Sequence, residues 1–152
     1  MYFMWVLQLT WTFEGKPFTE FPTDMFGFIY LITYSDGTKY LGKKQAFSFK
    51  ELPVLKNGKV RPDSIYRVGK NKNGKRVQYD VIRKEMPWKR YVGSSKLTGG
   101  KTIASKEIIA LCPTKRNLTY MEVKAMFYYE AIEDPLFLNE NILGKFFRDR
   151  TI

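Results

Sequence analysis

No histidine occurs among the 152 residues. That absence excludes Ser-His-Asp hydrolysis, His-ligated zinc and nucleases that activate water with an imidazole. Any general base must be a carboxylate, a tyrosine, a lysine or a metal-bound hydroxide. Cysteine is almost as scarce. Cys112 alone, in the apolar run EIIALC, rules out a disulfide framework and a cysteine-rich metal site, and it reads as a small buried hydrophobe in a reducing cytoplasm. No run reaches the ~18 apolar residues of a bilayer-spanning helix. The opening MYFMWVLQLTWTF is apolar and aromatic but has neither a basic leading region nor a small-residue cleavage site, so no export signal is expected. Acidic residues are in the minority, 15 against 26 lysines and arginines.

The resulting charge of +11 points to a polyanionic partner. Most of the imbalance falls in one tract, Gly42 to Lys96, with sixteen basic residues and four acidic ones. A merely solvated loop would account for the charge alone. Its interleaving with Phe47, Phe49, Tyr66, Tyr79, Trp88 and Tyr91 is better matched to a phosphate backbone with exposed bases.

At this length the chain is expected to form one body, an N-terminal arm over 1–26 packed on a domain over 27–152 that includes a basic insertion at about 45–87. LQLTWTF reads as a short strand followed by a turn-rich stretch, and the insertion, rich in Gly and Asn, as a basic loop or pair of ribbons. ASKEIIALC, closed by Pro113, is a candidate central strand. In NLTYMEVKAMFYYEAIEDP the spacing of Leu118, Met121, Ala125, Tyr128 and Ile132 predicts a helix that Pro135 ends. The tail LFLNENILGKFF is a short element of open type.

GFIYLITYSDGTKYLGKK, Gly27 to Lys44, predicts a hairpin whose turn decides its register. A two-residue Asp-Gly loop sets Tyr40 opposite Thr33 and puts Tyr30 on the other side of the sheet. A type I turn over Ser35 and Asp36 with Gly37 left-handed sets Ile32 opposite Tyr40 and Tyr30 opposite Gly42. The second register is preferred. It places both phenols and Lys44 on one face, with Ile29, Leu31 and Leu41 as a clean apolar set on the reverse, ready to pack on the helix.

GFIY and KYLG on the two strands resemble the signature of the GIY-YIG nuclease family, with Phe28 inserted in the first triplet and Leu41 in place of isoleucine. FEGKPFT, YLGKK, WKRYVGSSKL, EIIALCPTK, TYMEVKAMF and LNENI follow, in order, the pattern of the free-standing endonucleases of large bacterial viruses. The resemblance implies an α+β fold, a small three-stranded antiparallel sheet flanked by helices. It implies phosphodiester hydrolysis of double-stranded DNA with one Mg2+ or Mn2+ ion and no small-molecule cofactor, as in mobile, homing-type endonucleases. If the chain is viral, its compartment is the cytoplasm of an infected bacterial cell. By the same resemblance Tyr30 assists activation of the attacking water, Tyr40 lines the site, Glu122 holds the metal and Asn139 is the polar residue that follows it. Each has a plainer reading. The tyrosines could be ordinary cross-strand aromatics. Glu122 could close a capping box with Thr119, and Asn139 could shape a turn.

The chain also departs from the family. The arginine usually found on a helix just after the second triplet is replaced by the insertion. The cation for the scissile phosphate must then come from Lys44, favoured by the hairpin geometry, or from RKEMPWKRY, where Arg90 offers a bidentate grip and Lys84 ranks third. The DNA contacts are expected from Lys43, Lys70, Lys72, Lys75, Arg76, Lys89, Tyr91, Ser94, Ser95 and Lys96. Two other readings stay open, a noncatalytic nucleic-acid-binding protein on the same fold and a structure-specific or defence nuclease.

Overall fold

A computed structural model describes residues 10–62, 64–93 and 99–149. In chain order it holds β1 (Thr12–Phe13), β2 (Lys16–Pro17), β3 (Gly27–Tyr34), β4 (Lys39–Gln45), β5 (Phe47–Pro53), β6 (Ser64–Lys70), β7 (Arg76–Glu85) and β8 (Ile103–Cys112). Helix α1 (Lys115–Tyr128), β9 (Asn141–Ile142) and β10 (Phe146–Phe147) follow. The chain divides into two units, one of Met1–Ala46 with Pro87–Ile152 and one of Phe47–Met86.

The first unit is built on a five-stranded mixed sheet in the order β2-β1-β8-β3-β4, in which β1 runs parallel to β8. This corrects the expectation of a small three-stranded sheet flanked by helices: among the described residues there is one α-helix, and two short strands extend the sheet. The difference has a physical origin. TWTFEGKPF turns back on itself, Thr12 pairing with Pro17, and β1 docks beside β8, a contact nearly a hundred residues away that no local pattern encodes.

Strand β3 is central and buried on both sides. Its odd residues, with Leu41 of β4, meet Leu118 and Met126 of α1 in an aliphatic core that also takes in Phe26, Cys112 and Phe137. Burial raises the Cys112 thiol to about 11, so it remains an inert core group. Aromatic rings cover the other face. Trp11 stands 5.1 Å from Phe28 and 5.4 Å from Tyr30, and Trp88 packs 5.5 Å from Phe21 and 6.0 Å from Phe28. The indole of Trp11 donates to the carbonyl of Trp88 at 3.0 Å.

The hairpin takes the bulged register. Tyr30 opposes Gly42, Ile32 opposes Tyr40, and Gly37 sits at φ 86° while its amide donates to Tyr34. Helix α1 starts earlier than its periodicity suggested. Thr114 is the cap, its side chain accepting from the amide of Asn117 at 3.0 Å. The helix also ends sooner, because Glu130 turns left-handed at φ 52° just beyond Tyr129. The second unit is a three-stranded antiparallel meander, β5-β7-β6, and so is more ordered than a basic loop.

Candidate functional site

Strand β4 lies at the sheet edge, so a cleft beside it can be lined from both faces. Such a cleft, of about 420 Å³, brings together Tyr40, Glu122, Asn139 and Glu140. Glu122 arrives by helical spacing: Leu118 and Met126, one turn before and one turn after it, are core residues, so the carboxylate is drawn toward the sheet. Its side chain is 17% exposed, and burial raises its pKa against the opposing pull of Lys43. Thr119 lies inside α1 and donates to the carbonyl of Lys115, so Thr119 and Glu122 form no capping box and the carboxylate is free of that duty.

Lys43 follows from strand alternation. It is two residues beyond the core residue Leu41 and therefore faces α1, where its ammonium lies 3.6 Å from Glu122 and donates to Thr119 Oγ1 at 3.2 Å. Lys44 takes the opposite face and lies over the Tyr91 ring at 4.7 Å from its centre. Of the adjacent lysines, Lys43 stands at the carboxylate and Lys44 stands at the aromatics.

The two tyrosines are neighbours with ring centres 6.3 Å apart, yet they differ in access. Tyr40 is half-buried and reaches the cleft. Tyr30 is 1% exposed, wedged over Gly42, where a Cβ would stand 2.6 Å from its Cζ. Burial raises its pKa far above the ordinary range, and a hydrogen bond with Tyr91 adds to that. Its phenol therefore stays neutral, and Lys44, held over Tyr91, does not alter this. Gly93, at φ 95°, closes over the pair, within 3.9 Å of both tyrosines for an added Cβ.

Asn139 is 3% exposed and hydrogen-bonded to β4. It accepts from the Leu41 amide at 3.0 Å and donates to the Leu41 carbonyl at 2.7 Å, standing in for a neighbouring strand residue. Arg148, which the sequence did not single out, holds the loop that carries it. Its guanidinium donates to the carbonyls of Ala131, Asp134, Phe137 and Asn139 at 2.7–3.0 Å. Lys106 is a second unforeseen residue, 2% exposed in β8, donating to the carbonyls of Lys89 and Tyr91. It fixes the turn that delivers Tyr91 to Tyr30, whose ring centres are 5.6 Å apart.

Lys89 lies with its ammonium 5.8 Å from the Trp88 ring centre, and Arg90 is exposed on the same turn. Lys84 belongs to β7 of the second unit, with Lys70 and Arg76, while Lys72 and Lys75 sit on the turn between β6 and β7. Ser94, Ser95 and Lys96 lie outside the described residues.

Chemically, the cleft offers a desolvated carboxylate, an ammonium and a phenol at one sheet edge. This is equipment for a phosphate group and a hard cation. The family model described as "Putative endonuclease segE, GIY-YIG domain" matches residues 11–142. The chain therefore belongs to the GIY-YIG nuclease family, in the branch of free-standing phage-type endonucleases, and its substrate class is nucleic acid. Comparisons with curated proteins and with solved structures found no match.

Proposed function

We propose that the protein is a metal-dependent DNA endonuclease of the mobile, homing type, working at the edge of β4. The observation that carries this reading is the convergence of Glu122, Lys43 and Tyr40 there. Among the described residues no three acidic, histidine or cysteine side chains cluster as a metal cage. A single carboxylate fits the other mode of binding a hard divalent ion, which leaves most of the coordination shell to water and substrate phosphate. Glu122 would hold Mg2+ or Mn2+, and the ion when bound would neutralise phosphate charge and stabilise the leaving oxygen.

The chain's own groups supply the rest. Lys43 releases Glu122 and turns its ammonium to a nonbridging phosphate oxygen, a movement that needs only rotation of a flexible stem. The hydroxyl of Tyr40 accepts a hydrogen bond from the attacking water and orients it. Tyr30, neutral and enclosed, is a positioning residue that supports the Tyr40 ring. Asn139 fixes β4 at Leu41, between Tyr40 and Lys43. Lys44, Lys89, Arg90 and Tyr91 flank this edge and serve the DNA backbone. The test is cleavage of supercoiled plasmid with and without Mg2+, by wild type and Glu122→Gln. Metal-dependent nicking or linearisation by wild type alone is expected, with DNA binding in EDTA retained by both. Normal cutting by Glu122→Gln would remove the metal assignment, and binding without cleavage by wild type would make the chain a binding protein.

A further inference from the structure

The second unit carries eleven basic residues and four acidic ones, well over half of the net charge of the chain. Its sheet sorts that charge by face. Directly opposed residues of an antiparallel pair point the same way and alternate along the strand, so the registers of β5 with β7 and of β6 with β7 assign every position.

One face is apolar and electrically balanced. It presents Phe49, Ile65 and Val81 with two arginines and two glutamates; Arg67 pairs with Glu51 at 3.0 Å, and Arg83 stacks over the Phe47 ring at 3.5 Å. The reverse face carries Lys50, Lys70, Arg76 and Lys84, all exposed and none ion-paired with a described residue. Its only acid, Asp80, is buried against Arg61 of the β5–β6 connection at 3.3 Å. Two of the four cations, Lys70 and Arg76, are direct cross-strand partners. Like charges so opposed destabilise a sheet, and an external row of anions is what would offset this.

The spacing favours a duplex. Arg76 and Lys84 stand eight residues apart on β7, roughly 27 Å, more than the ~12 Å width of a major groove. The pair Lys70 and Arg76 and the pair Lys50 and Lys84 can therefore meet phosphates on either side of a groove. We infer that this face is a second docking surface for duplex DNA, reading backbone and not sequence. The identity of the polyanion rests on the nuclease reading above.

The test uses the full chain in a Glu122→Gln background and a short duplex, titrated between about 50 and 200 mM salt. One variant carries Lys50→Gln, Lys70→Gln, Arg76→Gln and Lys84→Gln; the control carries Arg67→Gln and Arg83→Gln on the apolar face. The four-fold variant should lower the log-log salt slope by about 3 to 4, near 0.9 for each phosphate released, and weaken binding by at least about tenfold. The control should keep the slope within about one unit. The variant should also melt no lower than its parent, since it removes the Lys70–Arg76 repulsion. An unmoved slope, an equal fall in the control, or a parent that fails to bind duplex overturns the inference. Plasmid cleavage by the wild-type chain is read separately. Absent cleavage with a lowered slope would remove the catalytic reading alone, and cleavage with an unmoved slope would remove this surface alone.

Discussion

Replacing Lys106 by methionine separates two opposing effects in the core. The ammonium lies 4.4 Å from the centre of the Trp11 ring and donates to the carbonyls of Lys89 and Tyr91 at 3.1 and 2.9 Å. No carboxylate of the described residues is paired with it. Burial therefore lowers its pKa from 10.5 to about 8. Below pH 8 the side chain is charged in both folded and unfolded chains, and the native state bears the whole penalty of enclosing the charge. Between pH 8 and 10.5 the unfolded chain binds the extra proton, so wild-type stability gains with rising pH, by about 3 kcal/mol over the window. Methionine abolishes the penalty at every pH, but leaves two carbonyls without their donor, a pH-independent loss of ~1–3 kcal/mol for each that stays unsatisfied. The stability of Lys106→Met relative to wild type should thus decline by about 3 kcal/mol from pH 7 to pH 10.5. Cys112 and Tyr30 titrate alike in both proteins and cancel. Urea unfolding of the pair across that range is the assay, and a difference that stays flat would refute the buried, charge-burdened lysine.

Thr114→Ala should lower stability by about 1 kcal/mol with activity per folded molecule retained, measured by a thermal melt beside the cleavage assay. Gly42→Ala places a methyl group against the Tyr30 ring and should destabilise by ~1–3 kcal/mol, with a changed near-ultraviolet circular dichroism signal from the displaced aromatics. Arg148→Lys keeps the charge and loses the fork that serves four carbonyls, so it should weaken the 131–139 loop by ~1–3 kcal/mol; hydrogen exchange at Leu41, whose amide Asn139 accepts, reports it.

What the sequence revealed of this fold was what short-range chemistry controls. SDG with a left-handed glycine admits one register that puts Ile29, Leu31 and Leu41 on a common apolar face, and the structure adopts it. EIIALC is central in the sheet because a run apolar on both faces needs cover on both. The pairing of β1 with β8 was hidden because it joins segments far apart, and the helix start was hidden because TYME imitates a capping box more fully than Thr114 with Asn117 does. The burial of Lys106 was hidden for a different reason. A lysine between Ser105 and Glu107 has the pattern of an exposed strand position, and only the aromatic layer from the N-terminal arm and the 88–91 turn encloses it.

The two adjacent lysines show why site residues resist such reading even when the register is correct. Alternation places Lys43 and Lys44 on opposite faces of β4, and shared-face reasoning assigned the useful cation to the tyrosines' side. That step treated the sheet as a wall with the chemistry on one side. Because β4 is an edge strand, its two faces meet at the cleft: Tyr40 comes from the aromatic layer, and Glu122 and Lys43 come from the helix layer. A carboxylate reaching that edge from α1 must lie between core residues one turn away on either side, so it is desolvated before any ligand arrives. Its first electrostatic partner is then the lysine on the helix side of the strand. The position of Glu122 on the helix, more than the hairpin, selects Lys43.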